Sequence, residues 1–115
     1  MHEVSLAHTI VLIAEDYARR NGASNITTVG LRVGEFSGVV AEALETAFEV
    51  AKRDTLAHHA RLNIVKVPVI AFCQNCQHEF EVTDIYGVAS CPTCATLSHD
   101  LKQGQELDVS YLEVD

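Results

Sequence analysis

Basic residues are scarce in this chain. Eight Lys and Arg stand against sixteen Asp and Glu in 115 residues, a formal net charge of -8, and no Lys or Arg lies between Val67 and Leu101. Such a surface repels phosphate, which argues against nucleic-acid binding. No apolar run approaches the length a bilayer span requires, so the chain reads as one that does not enter membranes. The opening Met1-His2-Glu3 has an acid where a signal peptide carries basic residues, and Glu15 and Asp16 interrupt the apolar stretch that follows. A cytoplasmic location is expected, and there four cysteines point to metal ligation or redox chemistry instead of disulfides. Also missing are a P-loop, a nucleophile with base and orienting partner, internal repeats beyond the paired cysteine motif, and low-complexity tracts. The chain therefore reads as a non-enzyme.

What is present reads as a small α/β unit with an insertion. Val4, Ala7, Val11, Ala14 and Ala18, widened by Leu6, Ile10, Ile13 and Tyr17, recur with a 3.6-residue period and predict a helix. Arg19, Arg20 and Gly22 mark its end near Asn21. Ile26 to Val33 alternates Val29, Leu31 and Val33 with Thr28, Gly30 and Arg32, a half-buried strand. After a glycine-bearing turn at 34–38, Val40, Leu44, Ala47, Phe48 and Ala51 share the buried face of a second helix, with Glu42, Glu45 and Glu49 in solvent. A polar connection at 54–60 leads to a strand through Leu62, Ile64 and Val67 that stops at Pro68. A last strand runs from Leu107 to Val114, and its mixed parity predicts a bulge or burial on both sides. The fold class is α/β: two helices packed on a three-stranded sheet, with a helix-poor, zinc-ribbon-like minidomain inserted before the last strand. The corresponding domains are 1–69 plus 100–115, and 70–99.

Cys73-Gln-Asn-Cys76 and Cys91-Pro-Thr-Cys94 are two C-x-x-C knuckles fourteen residues apart, a spacing that can present four thiolates tetrahedrally. A segment too small for its own core gains from a structural zinc, whose binding supplies about 10–16 kcal/mol. Three rivals share the cysteines. A thioredoxin-type site needs one C-x-x-C at a helix start, a rubredoxin-like iron site uses the same sulfurs, and a nucleic-acid-reading ribbon needs cations that this acidic segment lacks. His78 and His99 are candidate additional donors, with a solvated histidine the plainer reading of His78. His8, on a helix surface, and His58 with His59, in the polar connection, read as solvated too.

At the amino terminus the Met1 amine, the His2 amide and the His2 imidazole can close five- and six-membered chelate rings around one ion, and the Glu3 amide can add a fourth nitrogen. Four nitrogens in a plane favour Ni(II) or Cu(II) over tetrahedral zinc. Met1-His2-Glu3, the Val33-Gly34-Glu35-Phe36-Ser37-Gly38-Val39 turn, Ala47-Phe48-Glu49 and the two C-x-x-C pairs, in this order, resemble the HypA/HybF family of nickel-incorporation proteins. The resemblance implies a metallochaperone that carries Ni(II) as cargo through Met1, His2 and Glu3. It implies Zn(II) on Cys73, Cys76, Cys91 and Cys94. It further implies a role in maturing [NiFe]-hydrogenase with a HypB-type GTPase, the hydrogenase large-subunit precursor as acceptor, and urease maturation as a second destination. Glu35 and Glu42 are the carboxylates near the second helix that could add a donor. The alternative is an acidic zinc-ribbon interaction module that transfers no metal.

Overall fold

The computed structural model describes residues 3–115, so the expectations for Met1 and His2 lie outside the described residues. The chain divides into two compact units: residues 1–32, 38–65 and 108–115 form unit 1, and residues 33–37 and 66–107 form unit 2. The elements run α1 (Glu3–Arg20), β1 (Ile26–Gly34), α2 (Ala41–Ala51), β2 (Arg61–Val67), β3 (Ile70–Cys73), β4 (His78–Glu81), β5 (Leu101–Gln103) and β6 (Leu107–Val114). No described helix is long and apolar enough to cross a membrane.

α1 carries Glu3 in its first turn and Arg19 and Arg20 in its last, each sign matching the helix dipole. It ends as the sequence predicts. Ala23 N–H donates to the Ala18 carbonyl at 2.9 Å, and Gly22 N–H to Arg19 at 3.1 Å, with Gly22 at φ +69°. Its core stripe is narrower than the periodicity implied: Ala7, Ile10, Val11, Ala14 and Ala18 are buried, whereas Val4, Ile13 and Tyr17 are exposed. α2 buries Leu44, Phe48 and Ala51, but Val40 sits at the N-cap with extended backbone, outside the helix and exposed. The buried carboxylate of Glu15 accepts a hydrogen bond from Leu56 N–H at 3.1 Å and from Arg19 at 3.2 Å, fixing the 54–60 connection to α1. Ala57 and Ala60 in that connection are fully buried, so it is less polar in its contacts than in its composition.

The first sheet has the order β2-β1-β6. Ile26 N–H, at the start of β1, donates to Leu56 just before β2, and Glu35 N–H beyond its end donates to Val67 at the end of β2. The two strands therefore run parallel, joined through α2. Asp115 N–H instead meets Asn25, and Gly34 N–H meets Glu106, so β6 runs antiparallel to β1. β1 is buried on both faces and not on one, which corrects the half-buried reading. The reason is Tyr111 of β6, whose ring lies against Gly30: a Cβ there would stand 2.0 Å from the ring, and Asn63 of β2 donates to the tyrosine hydroxyl. Val109 and Leu112, of opposite parity on β6, are both half-buried.

Unit 2 holds a second three-stranded sheet, β4-β3-β5, in which both pairings are antiparallel. Val69, Ala71, Cys73, Phe80, Val82, Ala89 and Cys91 make its core. At its base, Gly34, Gly104 and Val69 meet backbone to backbone. A Cβ on Gly34 would lie 2.1 Å from the Gly104 carbonyl oxygen, and one on Gly104 would lie 2.7 Å from Val69 Cα.

Candidate metal centre

Each knuckle is a tight turn closed by paired backbone behind it, β3 with β4 at the first and a single bridge at the second. Cys73 ends β3 and pairs with His78 at the start of β4, so Gln74–Gln77 form the turn of a hairpin. Gln77 N–H donates to the Cys73 carbonyl at 2.8 Å, and the Cys76 amide lies 3.3 Å from Cys73 Sγ. The second knuckle repeats the first. Ala95 N–H donates to the Cys91 carbonyl at 2.8 Å, and the Ser90–Leu97 bridge closes the turn behind it. In both turns the residue after the second cysteine takes left-handed backbone, Gln77 at φ 58° and Ala95 at φ 62°. Neither is glycine. A non-glycine residue there costs about 1–2 kcal/mol, which the closed turn must offset.

The four sulfurs lie within 4.8 Å of one another, and Cys73 Sγ and Cys94 Sγ are 3.6 Å apart. A tetrahedral ion with metal–sulfur bonds of about 2.3 Å needs sulfurs about 3.8 Å apart, so the donor set fits a divalent metal such as zinc. Electrostatics agrees. The hydrogen bonds of Thr96 and Asn75 pull the Cys94 thiol down to about 5, with the Thr96 hydroxyl 3.2 Å from its sulfur. Burial pushes the Cys91 thiol up, but the backbone N–H groups of Cys94 and Thr93 outweigh burial and bring it below its ordinary value. Cys76 moves the other way, to about 12, chiefly because of Cys94, with desolvation and the remaining two sulfurs adding to the effect. Four thiolates this close repel one another. A dication among them removes that repulsion.

Of the residues predicted from sequence, the structure brings together Cys73, Cys76, Cys91 and Cys94. His78 and His99 stand exposed and outside that cluster. His58 and His59 have ring centroids 4.0 Å apart, but His58 Nδ1 lies 2.8 Å from the Thr55 carbonyl, and the four cysteines are the one group of three or more potential ligands among the described residues. Glu3 lies half-buried in the first turn of α1. Thr96 and Asn75 escaped sequence reasoning, although a hydroxyl two residues after a cysteine is a signal that could have marked Thr96.

Residues 1–114 match the model of a family described as hydrogenase/urease nickel incorporation, metallochaperone, HypA. The chain belongs to the HypA family. A metallochaperone carries metal and catalyses no reaction, so HypA proteins are not enzymes. Among its relatives, the hydrogenase maturation factor HypA of Picosynechococcus is 40% identical over 114 residues, 99% of each chain. That of Alkalilimnicola ehrlichii is 43% identical over 115 residues, the full length of both. The solution structure of the nickel metallochaperone HypA from Helicobacter pylori superposes with a TM-score of 0.70 at 29% identity, covering 99% of this chain and 97% of that one. Both the two-helix α/β architecture and the cysteine-bearing minidomain thus belong to a HypA fold.

Proposed function

We propose that this chain carries Ni(II) on its amino terminus and delivers it in the cytoplasm during maturation of [NiFe]-hydrogenase. The observation that carries the reading is the match of residues 1–114 to a family named for nickel incorporation. Chemistry supports it. Met1 supplies an amine, His2 an amide and an imidazole, and Glu3 the next amide. Glu3 opens α1, and the first N–H groups of a helix have no intrahelical acceptor, so its amide can bind metal without breaking a helical hydrogen bond. Residues 1–69 with 100–115 form the nickel-binding part. Residues 70–99 form the zinc-binding part, where Cys73, Cys76, Cys91 and Cys94 hold one structural Zn(II). A HypB-type GTPase and the hydrogenase large-subunit precursor are the partners, with urease maturation as a second destination.

Calorimetric and absorption titrations of the native chain, His2→Ala and a chain extended by one residue at the amino terminus test this. Specific Ni(II) binding is expected in the first alone, with zinc content equal in all three. Equal nickel affinity in all three would sink the amino-terminal site.

A further inference from the structure

Unit 2 carries a feature that the metal centre does not use. Ile85 and Tyr86, at the turn between β4 and Cys91, are each 87% exposed, well beyond any other exposed large apolar side chain described. The turn that holds them is built, not slack. The Asp84 carboxylate accepts from Tyr86 N–H at 2.8 Å and from Val88 N–H at 3.1 Å, and Gly87 N–H donates to the Asp84 carbonyl at 3.0 Å. Gly87 takes φ +77°, and the Phe36 ring lies so close that a Cβ on Gly87 would meet it at 2.8 Å. Beside the turn an open hollow of about 380 Å³ is lined by Val88, Leu97, His99 and Leu101. Leaving two large apolar side chains in water costs solubility, and holding the backbone of their turn in place leaves a partner less chain to order on binding.

Charge says which partner. Unit 2 holds Glu35, Glu79, Glu81, Asp84, Asp100 and Glu106 against Lys66 and Lys102, and Lys102 is already paired with Asp100 at 3.0 Å. A second copy of this chain, itself at -8, is electrostatically mismatched. A nickel carrier also needs a hold on its acceptor that does not consist of the nickel ligands, because those bonds must exchange while the two proteins stay together. We propose that the 84–88 turn is a docking finger for the nickel-accepting protein, which receives it in an apolar cleft rimmed by Lys and Arg. This rests on the reading of the chain as a nickel carrier.

The probe is the purified large-subunit precursor of a [NiFe]-hydrogenase, titrated with the full-length zinc-loaded chain while nickel transfer is followed in parallel. Ile85→Asp and Tyr86→Asp are each expected to weaken binding about 30-fold, the loss typical of a central anchor. Their zinc content and nickel affinity should match those of the parent. Leu12→Asp, at an exposed apolar position of α1, should leave binding unchanged. Rising salt should weaken the parent complex, and Glu81→Lys should weaken the complex and reduce that salt dependence. If both finger variants bind as the parent does while nickel still passes, the finger is overturned and the carrier reading survives. If the parent neither binds the precursor nor delivers nickel to it, both fall.

Discussion

Gly30 and Gly34 lie on the same strand and exclude a side chain for different reasons. The obstacle at Gly30 is the Tyr111 ring, the end of a side chain, whereas at Gly34 it is the backbone of Gly104. A ring can swing aside, whereas the Gly104 carbonyl is held by Phe36 N–H at 2.7 Å. Gly30→Ala is therefore expected to cost about 1–3 kcal/mol, the usual range for overpacking, with part of the loss recovered in the Gly30→Ala/Tyr111→Ala double variant. Gly34→Ala should cost more and find no such rescue, and urea denaturation of the four proteins checks both statements. Glu15 offers a second comparison. Its carboxylate is buried and satisfies the Leu56 N–H, while Arg19 on its other side is largely exposed. Glu15→Ala leaves a backbone donor without an acceptor and should cost about 1–3 kcal/mol, but Arg19→Ala should cost less than about 1 kcal/mol. Glu15→Gln, which keeps an oxygen in place, should fall between them.

At the scale of elements, the knuckles are the units whose chemistry can be titrated. Cys94 is drawn to about 5 from 9.0, so its thiolate contributes stability above its ordinary value, and that contribution is lost as pH falls toward and through about 5. Protons compete with zinc for the four thiolates, so a zinc-loaded chain should release its metal as pH falls, as read with a chromogenic chelator. Thr96→Val, which deletes the hydroxyl beside the Cys94 sulfur, should move release to higher pH. The cysteine pairs were legible from spacing alone, and both helices from their 3.6-residue period. β4 and β5 were not, because His-Glu-Phe-Glu and Leu-Lys-Gln are too short and too polar to show alternation, and they become strands by pairing with β3. Nor could local sequence show that β1 is buried twice over, since the side chain that covers Gly30 comes from Tyr111, at the far end of the chain. The left-handed turns at Gln77 and Ala95 were hidden for a simpler reason: neither residue type advertises that conformation.

For the molecule as a whole, the acid excess predicts that duplex or single-stranded nucleic acid will not bind at physiological salt, and a gel shift would expose the error. The placement of β6 has a different consequence, one that concerns time. β1 is the central strand of its sheet, yet one of its two neighbours is the last element of the chain. During synthesis β1, α2 and β2 can assemble as soon as Val67 is free, but one edge of β1 stays bare while all of residues 68–106 are made. At roughly 5–20 residues per second that interval is several seconds, long enough for an exposed edge to meet another nascent chain. The Gly34–Gly104 contact sits at the end of that detour and brings the start of β6 beside the end of β1. Zinc capture by the cysteines between them shortens the loop that β6 must close. Refolding of the sheet, followed by stopped-flow circular dichroism, should accordingly be slower when the chain is refolded in the presence of a zinc chelator, and ribosome-bound chains starved of zinc should aggregate before their last strand has emerged.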